Sequence, residues 1–196
     1  MDTSPLIPLA LGYLLGSIPF GLLLTRLSGK GDLRSIGSGN IGATNVLRTG
    51  SKGLAALTLI LDAAKGSVAV LIAQHYWPEA VNFAAAGALI GHLYPLWLKF
   101  RGGKGVATML GILIPLLPLA ALIYAAVWVS MLIAARISSV AGMAAAASAP
   151  LAAAFGGYDR LFPLLLGFAL LIVWKHRENI ERLKAGTEPR IGRRKA

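Results

Sequence analysis

Long apolar runs constrain the fold of this chain more than any other feature. Val106 to Ala135 contains no charged residue, and further apolar runs cover about 5–25, 54–74 and 80–98. A transmembrane helix needs about 20 mainly apolar residues, because the hydrocarbon core of a bilayer is about 30 Å thick. With 56% hydrophobic and only 14% charged residues, a soluble domain of this size could not hide so much apolar surface. The sequence therefore predicts an all-α, polytopic integral membrane protein.

The number of spans depends on how the longest run is divided. As one helix, Val106 to Ala135 would be about 45 Å long, well beyond the hydrocarbon core. Pro115 and Pro118 interrupt it near its middle, which favours a hairpin of two short helices. Two further apolar runs, 140–155 and 161–174, bring the prediction to about seven transmembrane helices in a single domain, residues 1–196.

The charge distribution orients these spans. The formal net charge is +11, and with seven spans nearly all cations fall on one side, while the other side keeps only Arg160. Cytoplasmic loops of membrane proteins are enriched in Lys and Arg, so we expect the N-terminus outside and the C-terminus in the cytoplasm. A single span over 106–135 would place Arg136 outside. This loop bias explains the positive charge without a nucleic-acid partner, and it directs the search for function to the cytoplasmic face.

The most polar of these loops covers residues 37–48 and combines three glycines, two hydroxyls, two carboxamides and an arginine. Glycine lets backbone N–H groups approach a ligand closely, and Ser38, Asn40, Thr44 and Arg48 add donors, so an anion site is one interpretation. An ordinary polar loop between two membrane helices is the other. The loop also contains the spacing G-x-G-x-x-G that is typical of dinucleotide-binding sites. That motif requires a β-strand before it, and the apolar runs on either side are too long to be strands, so we exclude a dinucleotide-binding unit.

Three smaller features add candidate groups. Lys104 is bracketed by glycines directly before an apolar helix, which suggests phosphate binding at a helix N-terminus or only a topology-determining charge. Asp62 and Lys65 lie three residues apart in an apolar helix, where they either pair structurally or bring Lys65 to a phosphate site. His176 and Asn179 have the same spacing before the basic tail, so both side chains could face one ligand.

Several chemistries are excluded or unsupported. Cysteine is absent, which removes thiolate nucleophiles and thiolate metal ligands. Neither a G-x-S-x-G elbow, an H-E-x-x-H motif nor an H-x-x-x-x-D motif occurs, and carboxylates do not cluster in the sequence. We therefore expect no cofactor and no metal.

Taken together, these motifs resemble the bacterial acyl-phosphate:glycerol-3-phosphate acyltransferases over nearly the whole chain. The similar segments are Gly16–Gly21, the 37–48 loop, Asp62–Gly66, Gly91–Pro95, Phe100–Thr108, Ser139 and His176–Pro189. The resemblance implies a seven-helix enzyme of the bacterial inner membrane, active at its cytoplasmic face. Its substrates would be acyl phosphate and glycerol 3-phosphate, and its products lysophosphatidic acid and inorganic phosphate. Membrane lipid would surround it.

The resemblance also assigns roles by position. Catalytic roles would belong to Ser38, Lys104, His176 and Asn179. Substrate-binding roles would belong to Gly37, Gly39, Asn40, Gly42, Thr44, Asn45, Arg48, Lys65, Gly102, Gly103, Gly105, Thr108 and Ser139. The family often has a serine where this chain has Arg136, so the roles of Arg136 and Ser138 stay open.

Acyl phosphate is already an activated mixed anhydride, so we expect direct attack by the alcohol without an acyl-enzyme. His176 or a phosphate oxygen of the substrate would take the hydroxyl proton, and the resemblance favours the second route. The competing function is a transporter or binding protein for an organic phosphate. A structural membrane protein whose cations bind anionic lipid is a third reading.

Overall fold

The computed structural model describes residues 4–191, and over this range every regular element is helical. The ten α-helices are α1 (Leu6–Gly16), α2 (Phe20–Leu27), α3 (Ala43–Leu47), α4 (Lys52–Tyr76), α5 (Val81–Leu93), α6 (Val106–Leu116), α7 (Pro118–Ala135), α8 (Ser138–Phe155), α9 (Phe162–Lys175) and α10 (Arg177–Lys184). They form two compact units, Met1–Leu116 and Leu117–Ala196, called here the N-terminal and C-terminal units.

Within the part of the chain that the structure describes, five helical segments are long and apolar enough to cross a membrane: Leu6–Leu27, Lys52–Tyr76, Pro78–Leu98, Pro118–Ala135 and Ser138–Phe155. Val106–Leu116 and Phe162–Lys175 are shorter apolar helices. Large apolar side chains on these helices are exposed, for example Leu122 at 70% and Ile133 at 73%, as expected for surfaces that face lipid tails. The predicted all-α membrane fold is confirmed; seven spans and the orientation of the termini stay predictions.

Prolines account for most differences between predicted and observed helix boundaries. The first helix was expected to run unbroken over about 5–25, but it is interrupted at Ser17–Pro19, because proline has no N–H and restricts the residue before it. The third predicted helix, 80–98, ends as an α-helix at Leu93, two residues before Pro95. The expected break in the longest run lies at Leu117, but α7 has 18 residues and is not short.

In the N-terminal unit, small residues let α1 and α5 pack with their backbones close together. A Cβ atom on Gly12 would overlap the backbone oxygen of Ala84, and one on Gly16 would overlap that of Ala88. Both pairs are spaced by four residues, so they form matching stripes on the facing helices. This close crossing fixes Tyr13, whose hydroxyl donates to the Tyr94 carbonyl at 2.9 Å and thereby secures the C-terminal end of α5.

Helices α4 and α6 cross just as closely. A side chain at Gly111 would overlap the backbone of Ala63, and a Cβ at Gly66 would lie 2.5 Å from the Thr108 carbonyl oxygen. The hydroxyl of Ser67 donates to the Gly111 carbonyl at 2.7 Å across the same crossing. The start of α6 is therefore held firmly against the middle of α4.

In the C-terminal unit, α8 packs against both α7 and α9. Its buried face is a stripe of alanines at a spacing of four, Ala141, Ala145, Ala149 and Ala153. Small side chains again allow close helix approach where lipid offers no hydrophobic driving force for association. The first residues of α8 and the short helix α10 lie beside the C-terminal segment, which contributes to the candidate site.

Candidate active site

The 37–48 loop is organised around one buried side chain, Asn45, which is 2% exposed. Its amide nitrogen donates to the carbonyl oxygens of Leu33, Ile36 and Asn40 at 2.8–3.0 Å. Its amide oxygen accepts from the Ser38 backbone N–H at 3.2 Å. A contact of Asn45 with a substrate, as predicted, would require these hydrogen bonds to break. In the structure, Asn45 supports the loop from within.

The groups around this support are more accessible. Gly37 and Gly39 adopt left-handed conformations, with φ of 57° and 69°, which turn the backbone sharply on both sides of the exposed Ser38. The exposed Arg48 passes over Gly37 and donates to the Asn45 amide oxygen at 3.4 Å. The loop therefore presents Ser38 and Arg48 to its surroundings while Asn45 holds it from beneath.

The remaining predicted residues of this loop lie at the start of α3. Asn40 is partly buried, and its side-chain oxygen accepts from the Gly42 N–H at 3.3 Å. Gly42 is the N-cap of α3, and Thr44 is a half-buried residue in its first turn.

An ion-pair cluster fixes the entry to the loop. Asp32 accepts hydrogen bonds from the Arg34 side chain at 2.6–3.2 Å and from Arg26 at 2.8 Å. The hydrogen bond from Arg34 is the main reason that the pKa of Asp32 lies well below its usual range, and Asp32 in turn raises the pKa of Arg34. These three side chains are paired with one another at the surface, outside the predicted site.

The second predicted loop follows α5 and turns back on it. Lys99 and Phe100 have φ of 51° and 61°, which is unusual for residues other than glycine and produces a tight reversal. The Phe100 N–H donates to the Pro95 carbonyl at 3.0 Å. Gly102 and Gly103 then donate to the carbonyls of residues 93 and 92, at 3.2 and 3.0 Å. The loop is thus bonded directly onto the end of α5.

Lys104 follows this clasp and directly precedes Gly105 and α6. Its side chain is half-buried, whereas Thr108 in the first turn of α6 is fully buried. The Thr108 hydroxyl has no hydrogen-bond partner among the described residues. Direct contact of Thr108 with a substrate, as predicted, would require the start of α6 to open.

The two loops rest on a common apolar cluster. Its buried members are Leu22, Leu33, Ile41, Val46 and Ala55. Leu33, Ile41 and Val46 lie within or next to the first loop, and Leu98, at the start of the second loop, packs against the same cluster. The N-terminal unit therefore brings the 37–48 segment and the 98–105 segment to one region.

Asp62 and Lys65 pair inside the N-terminal unit. The Lys65 ammonium lies 2.7 Å from Asp62 Oδ1, and the side chains are 2% and 4% exposed, respectively. The buried His92 belongs to the same cluster. Lys65 was predicted either to bind a substrate phosphate or to pair with Asp62, and in the structure it contacts Asp62 and His92.

In the C-terminal unit, Glu188 brings two predicted residues together. Its Oε1 accepts from the Ser139 hydroxyl at 2.7 Å and from the Asn179 amide at 2.6 Å. Its Oε2 accepts from Arg182 Nε at 2.7 Å. Ser139 and Asn179 lie 40 residues apart in sequence and are both buried. A second bond, from the Ile191 N–H to the Arg136 carbonyl at 2.7 Å, secures the segment that contains Glu188.

The sequence did not predict Glu188 as a site residue, although Glu188 lies in a segment that resembles the family. Burial acts to raise its pKa, but the hydrogen bonds from Ser139, Asn179 and Arg182 outweigh burial, so the pKa lies below its ordinary value. The carboxylate is therefore ionised at neutral pH. The one signal in the sequence was an acidic residue next to a proline in an otherwise basic tail.

His176 lies at the junction of α9 and α10 and is 3% exposed. Its Nδ1 lies 2.7 Å from the Ile172 carbonyl oxygen. Because a carbonyl only accepts, Nδ1 holds a proton, and Nε2 is the nitrogen with a lone pair in the neutral ring. No group of three His, Cys, Asp or Glu side chains suited to a metal occurs within residues 4–191.

Comparison with known proteins places this chain in a family. The family model described as "Glycerol-3-phosphate acyltransferase" matches residues 6–186. The glycerol-3-phosphate acyltransferase of Mesorhizobium japonicum is 56% identical over 98% of both chains, and that of Erythrobacter litoralis is 56% identical over 97% of both.

The fold agrees with this match. The crystal structure of PlsY (YgiH), an integral membrane glycerol 3-phosphate acyltransferase, in its glycerol 3-phosphate form is similar with a TM-score of 0.91 at 39% identity, over 96% of each chain. Its lysophosphatidic acid form gives a TM-score of 0.88 at 38% identity, over 96% of this chain and 95% of that one. The resemblance inferred from the sequence is thus confirmed, and the chain belongs to the glycerol-3-phosphate acyltransferase family.

Proposed function

We propose that this protein transfers a fatty acyl group from acyl phosphate to the sn-1 hydroxyl of glycerol 3-phosphate, in the bacterial inner membrane and at its cytoplasmic face. The observation that supports the acceptor best is the likeness, over 96% of each chain, to an enzyme structure described as a glycerol 3-phosphate form. The donor is the one that the family resemblance implies, and acyl phosphate is an activated mixed anhydride that can react without an acyl-enzyme.

The charges of the substrates match the groups in the two loops of the N-terminal unit. Acyl phosphate and glycerol 3-phosphate together have a charge of about −3 to −4, because the second pKa of a phosphate monoester is near 6. Arg48 and Lys104 provide two cations beside glycine-rich backbone. The exposed Ser38 adds a hydroxyl donor. We assign these three residues to binding the phosphoryl groups and to stabilising the departing phosphate.

The reaction needs no covalent intermediate with the protein. The glycerol hydroxyl oxygen forms a bond to the acyl carbonyl carbon, and the bond from that carbon to the phosphate oxygen breaks. Phosphate leaves with the bonding electron pair. The hydroxyl proton passes either to a phosphate oxygen of the substrate or to His176 Nε2, whose lone pair is set by the bond from Nδ1 to the Ile172 carbonyl.

In the C-terminal unit, we assign His176 and Asn179 to binding glycerol 3-phosphate. Asn179 is held by Glu188 through its amide nitrogen, and this bond fixes the orientation of the whole amide group. Ser139 is held by the same carboxylate, which gives it a supporting place next to Asn179.

Purified protein in detergent or lipid would test the proposal with labelled glycerol 3-phosphate and either acyl phosphate or acyl-CoA. We expect lysophosphatidic acid and stoichiometric phosphate with acyl phosphate only. Lys104→Ala should lower kcat/KM by at least about 100-fold, whereas Lys30→Ala, which removes an exposed cation, should change it less than about twofold. Binding of glycerol 3-phosphate without turnover would instead support a transporter or binding protein.

His176→Ala separates the two proton routes. If it keeps more than a few percent of kcat but binds glycerol 3-phosphate more weakly, His176 is not the base and the substrate phosphate takes the proton. A loss of activity below that level, with unchanged affinity for glycerol 3-phosphate, would assign the base to His176.

A further inference from the structure

A buried polar cluster lies beneath the loop that presents Lys104. Asp62 and Lys65 come from α4, and His92 comes from the last turn of α5. The three side chains are 2–4% exposed, and each pair is in contact. Ionisable groups are costly to bury in a membrane protein, and those found there are usually paired and functional. This paired cluster is therefore a candidate for a functional role.

The Lys65 ammonium has three donors, and the cluster uses them all. Nζ lies 2.7 Å from Asp62 Oδ1, 2.9 Å from the Ile18 carbonyl oxygen and 2.8 Å from His92 Nδ1. An ammonium has three N–H bonds and no lone pair. Lys65 therefore has no donor to offer a substrate phosphate while the cluster is intact, and its influence on the reaction has to pass through its neighbours.

The ion pair determines which nitrogen of His92 holds the proton. A donating ammonium requires a lone pair on Nδ1, so the neutral ring has its proton on Nε2. Asp62 contributes through Lys65, because its Oδ1 accepts from the ammonium at 2.7 Å and so holds Nζ beside Nδ1 of His92. Both the tautomer and the orientation of the ring are thereby fixed from the Nδ1 side.

The opposite edge of the His92 ring lies against the second loop. A Cβ atom at Gly103 would overlap Nε2, and one at Gly102 would overlap the backbone oxygen of His92. The same backbone oxygen accepts the Gly103 N–H at 3.0 Å. The loop is therefore closely fitted to His92 through both its ring and its backbone, one residue before Lys104.

We propose that Lys65 is a positioning residue that acts through His92: with Asp62 it locks the ring against Gly102–Gly103 and so holds Lys104 in place for the substrate phosphate. This rests on the proposed function only for the role of Lys104. Asp62 and Lys65 on α4 then form the buried end of a continuous series of contacts. This series passes through His92 on α5 to the loop that presents Lys104. Displacing a positioned catalytic group by about 1 Å costs about 100-fold in rate.

The double variant Asp62→Leu with Lys65→Met tests this, because removing both charges together avoids leaving a buried charge without its partner. We expect it to fold with an unfolding temperature near that of the parent, and to lose about 10- to 100-fold in kcat. Ser67→Ala, two residues further along α4, removes a hydrogen bond outside the cluster and is the matched control, with less than about twofold loss.

Two readouts distinguish positioning from a direct substrate contact. In a Lys104→Ala background the double variant should cost less than about threefold, since the group it positions is already gone. If Lys65 contacted the substrate directly, the fold losses from the double variant and from Lys104→Ala would multiply. Hydrogen exchange should become faster in the 99–105 segment of the double variant and stay unchanged in Ser67→Ala, because the Gly103 N–H bonds to His92.

The tautomer gives a readout that does not depend on activity. In the ¹⁵N spectrum of histidine-labelled protein, assigned with His92→Gln, His92 should show a protonated Nε2 and an acceptor Nδ1 in the parent, and lose this pattern in the double variant. A protonated Nδ1 in the parent, or a double variant with parental kcat and loop exchange, would overturn the proposal. Absence of turnover in the parent with an intact tautomer pattern would refute only the proposed function.

Discussion

The carboxylate of Glu188 is the central acceptor of the C-terminal unit, and its replacement by glutamine gives the sharpest test of the site as described. Glutamine has the same shape but only one acceptor oxygen and no charge. The new glutamine can keep an oxygen that accepts from Ser139 and Asn179 only if its amide nitrogen faces Arg182. The amide N–H and the Arg182 N–H would then be two donors facing each other, with no acceptor between them. One charge-assisted bond is therefore lost whichever way the amide turns.

The size of this effect follows from the contacts. A hydrogen bond to a charged group is worth about 1.5–3 kcal/mol, and we take the middle of this range because Arg182 is about one-third exposed and its ion pair is partly screened. A loss of about 2 kcal/mol corresponds to a fall of about 4–8 °C in the unfolding temperature of a chain of this size. Glu188→Ala, which removes all three acceptor contacts, should cost more.

Thermal unfolding and turnover of the purified variants would measure both consequences. Glu188→Gln should also lower kcat by about tenfold or more, because the bond that orients Asn179 is either lost or kept without the charge of the carboxylate. Glu181→Gln changes an exposed glutamate of the neighbouring helix α10 and should alter the unfolding temperature by less than about 1 °C. An unfolding temperature that Glu188→Gln leaves unchanged, or a larger loss from Arg182→Ala than from Glu188→Ala, would refute the reasoning.

Three further predictions concern pH, the first loop and helix packing. Because the pKa of Glu188 is lowered in the folded protein, the stability gap between the parent and Glu188→Gln should be constant above about pH 5 and should close as the pH falls below 4.5, measured by thermal unfolding. Asn45→Ala leaves three carbonyls of the loop without their donor and should cost about 2–4 kcal/mol, whereas Ser38→Ala should lower activity without lowering the unfolding temperature, since only the Ser38 backbone belongs to that network. Gly111→Ala should destabilise by about 1–3 kcal/mol through overlap with α4, while Gly167→Ala, at a helical glycine with open space around it, should be neutral or stabilising.

The sequence predicted the helices well because their length is dictated by the bilayer. Each predicted apolar run overlaps an observed helix, and the break near Pro115 and Pro118 is present because proline ends helices locally. The interruption at Ser17–Pro19 was not predicted, although its cause is the same, since an apolar run long enough to span gives no reason to divide it. Hydrophobic length predicts the existence of a helix better than its continuity.

The candidate site could be predicted only where its contacts are local in sequence. Asp62 and Lys65 were expected to share a face at a spacing of three, and the structure pairs them. The bond from Lys65 to His92 joins residues 27 apart, and the bond from Ser139 to Glu188 joins residues 49 apart. No periodicity in the chain indicates such partners, because they depend on how helices pack and not on how one helix turns.

Some buried polar residues that the sequence assigns to the substrate also have partners within the protein. Asn45 lies in a glycine-rich loop, Asn179 lies beside a basic segment, and Lys65 is a cation within an apolar helix, which are all patterns expected of ligand contacts. In the structure each has its hydrogen bonds, wholly or in part, within the protein. A glycine-rich loop at a membrane surface has little apolar area to fix its conformation, so buried polar groups that satisfy its backbone must do so. A residue type typical of ligand binding is therefore also the type needed to hold the binding loop, and within the 37–48 loop burial separates the two roles. By this criterion, Ser38 and Arg48 remain the strongest candidates in the first loop for direct contact with phosphate, and Asn45 determines where they are placed.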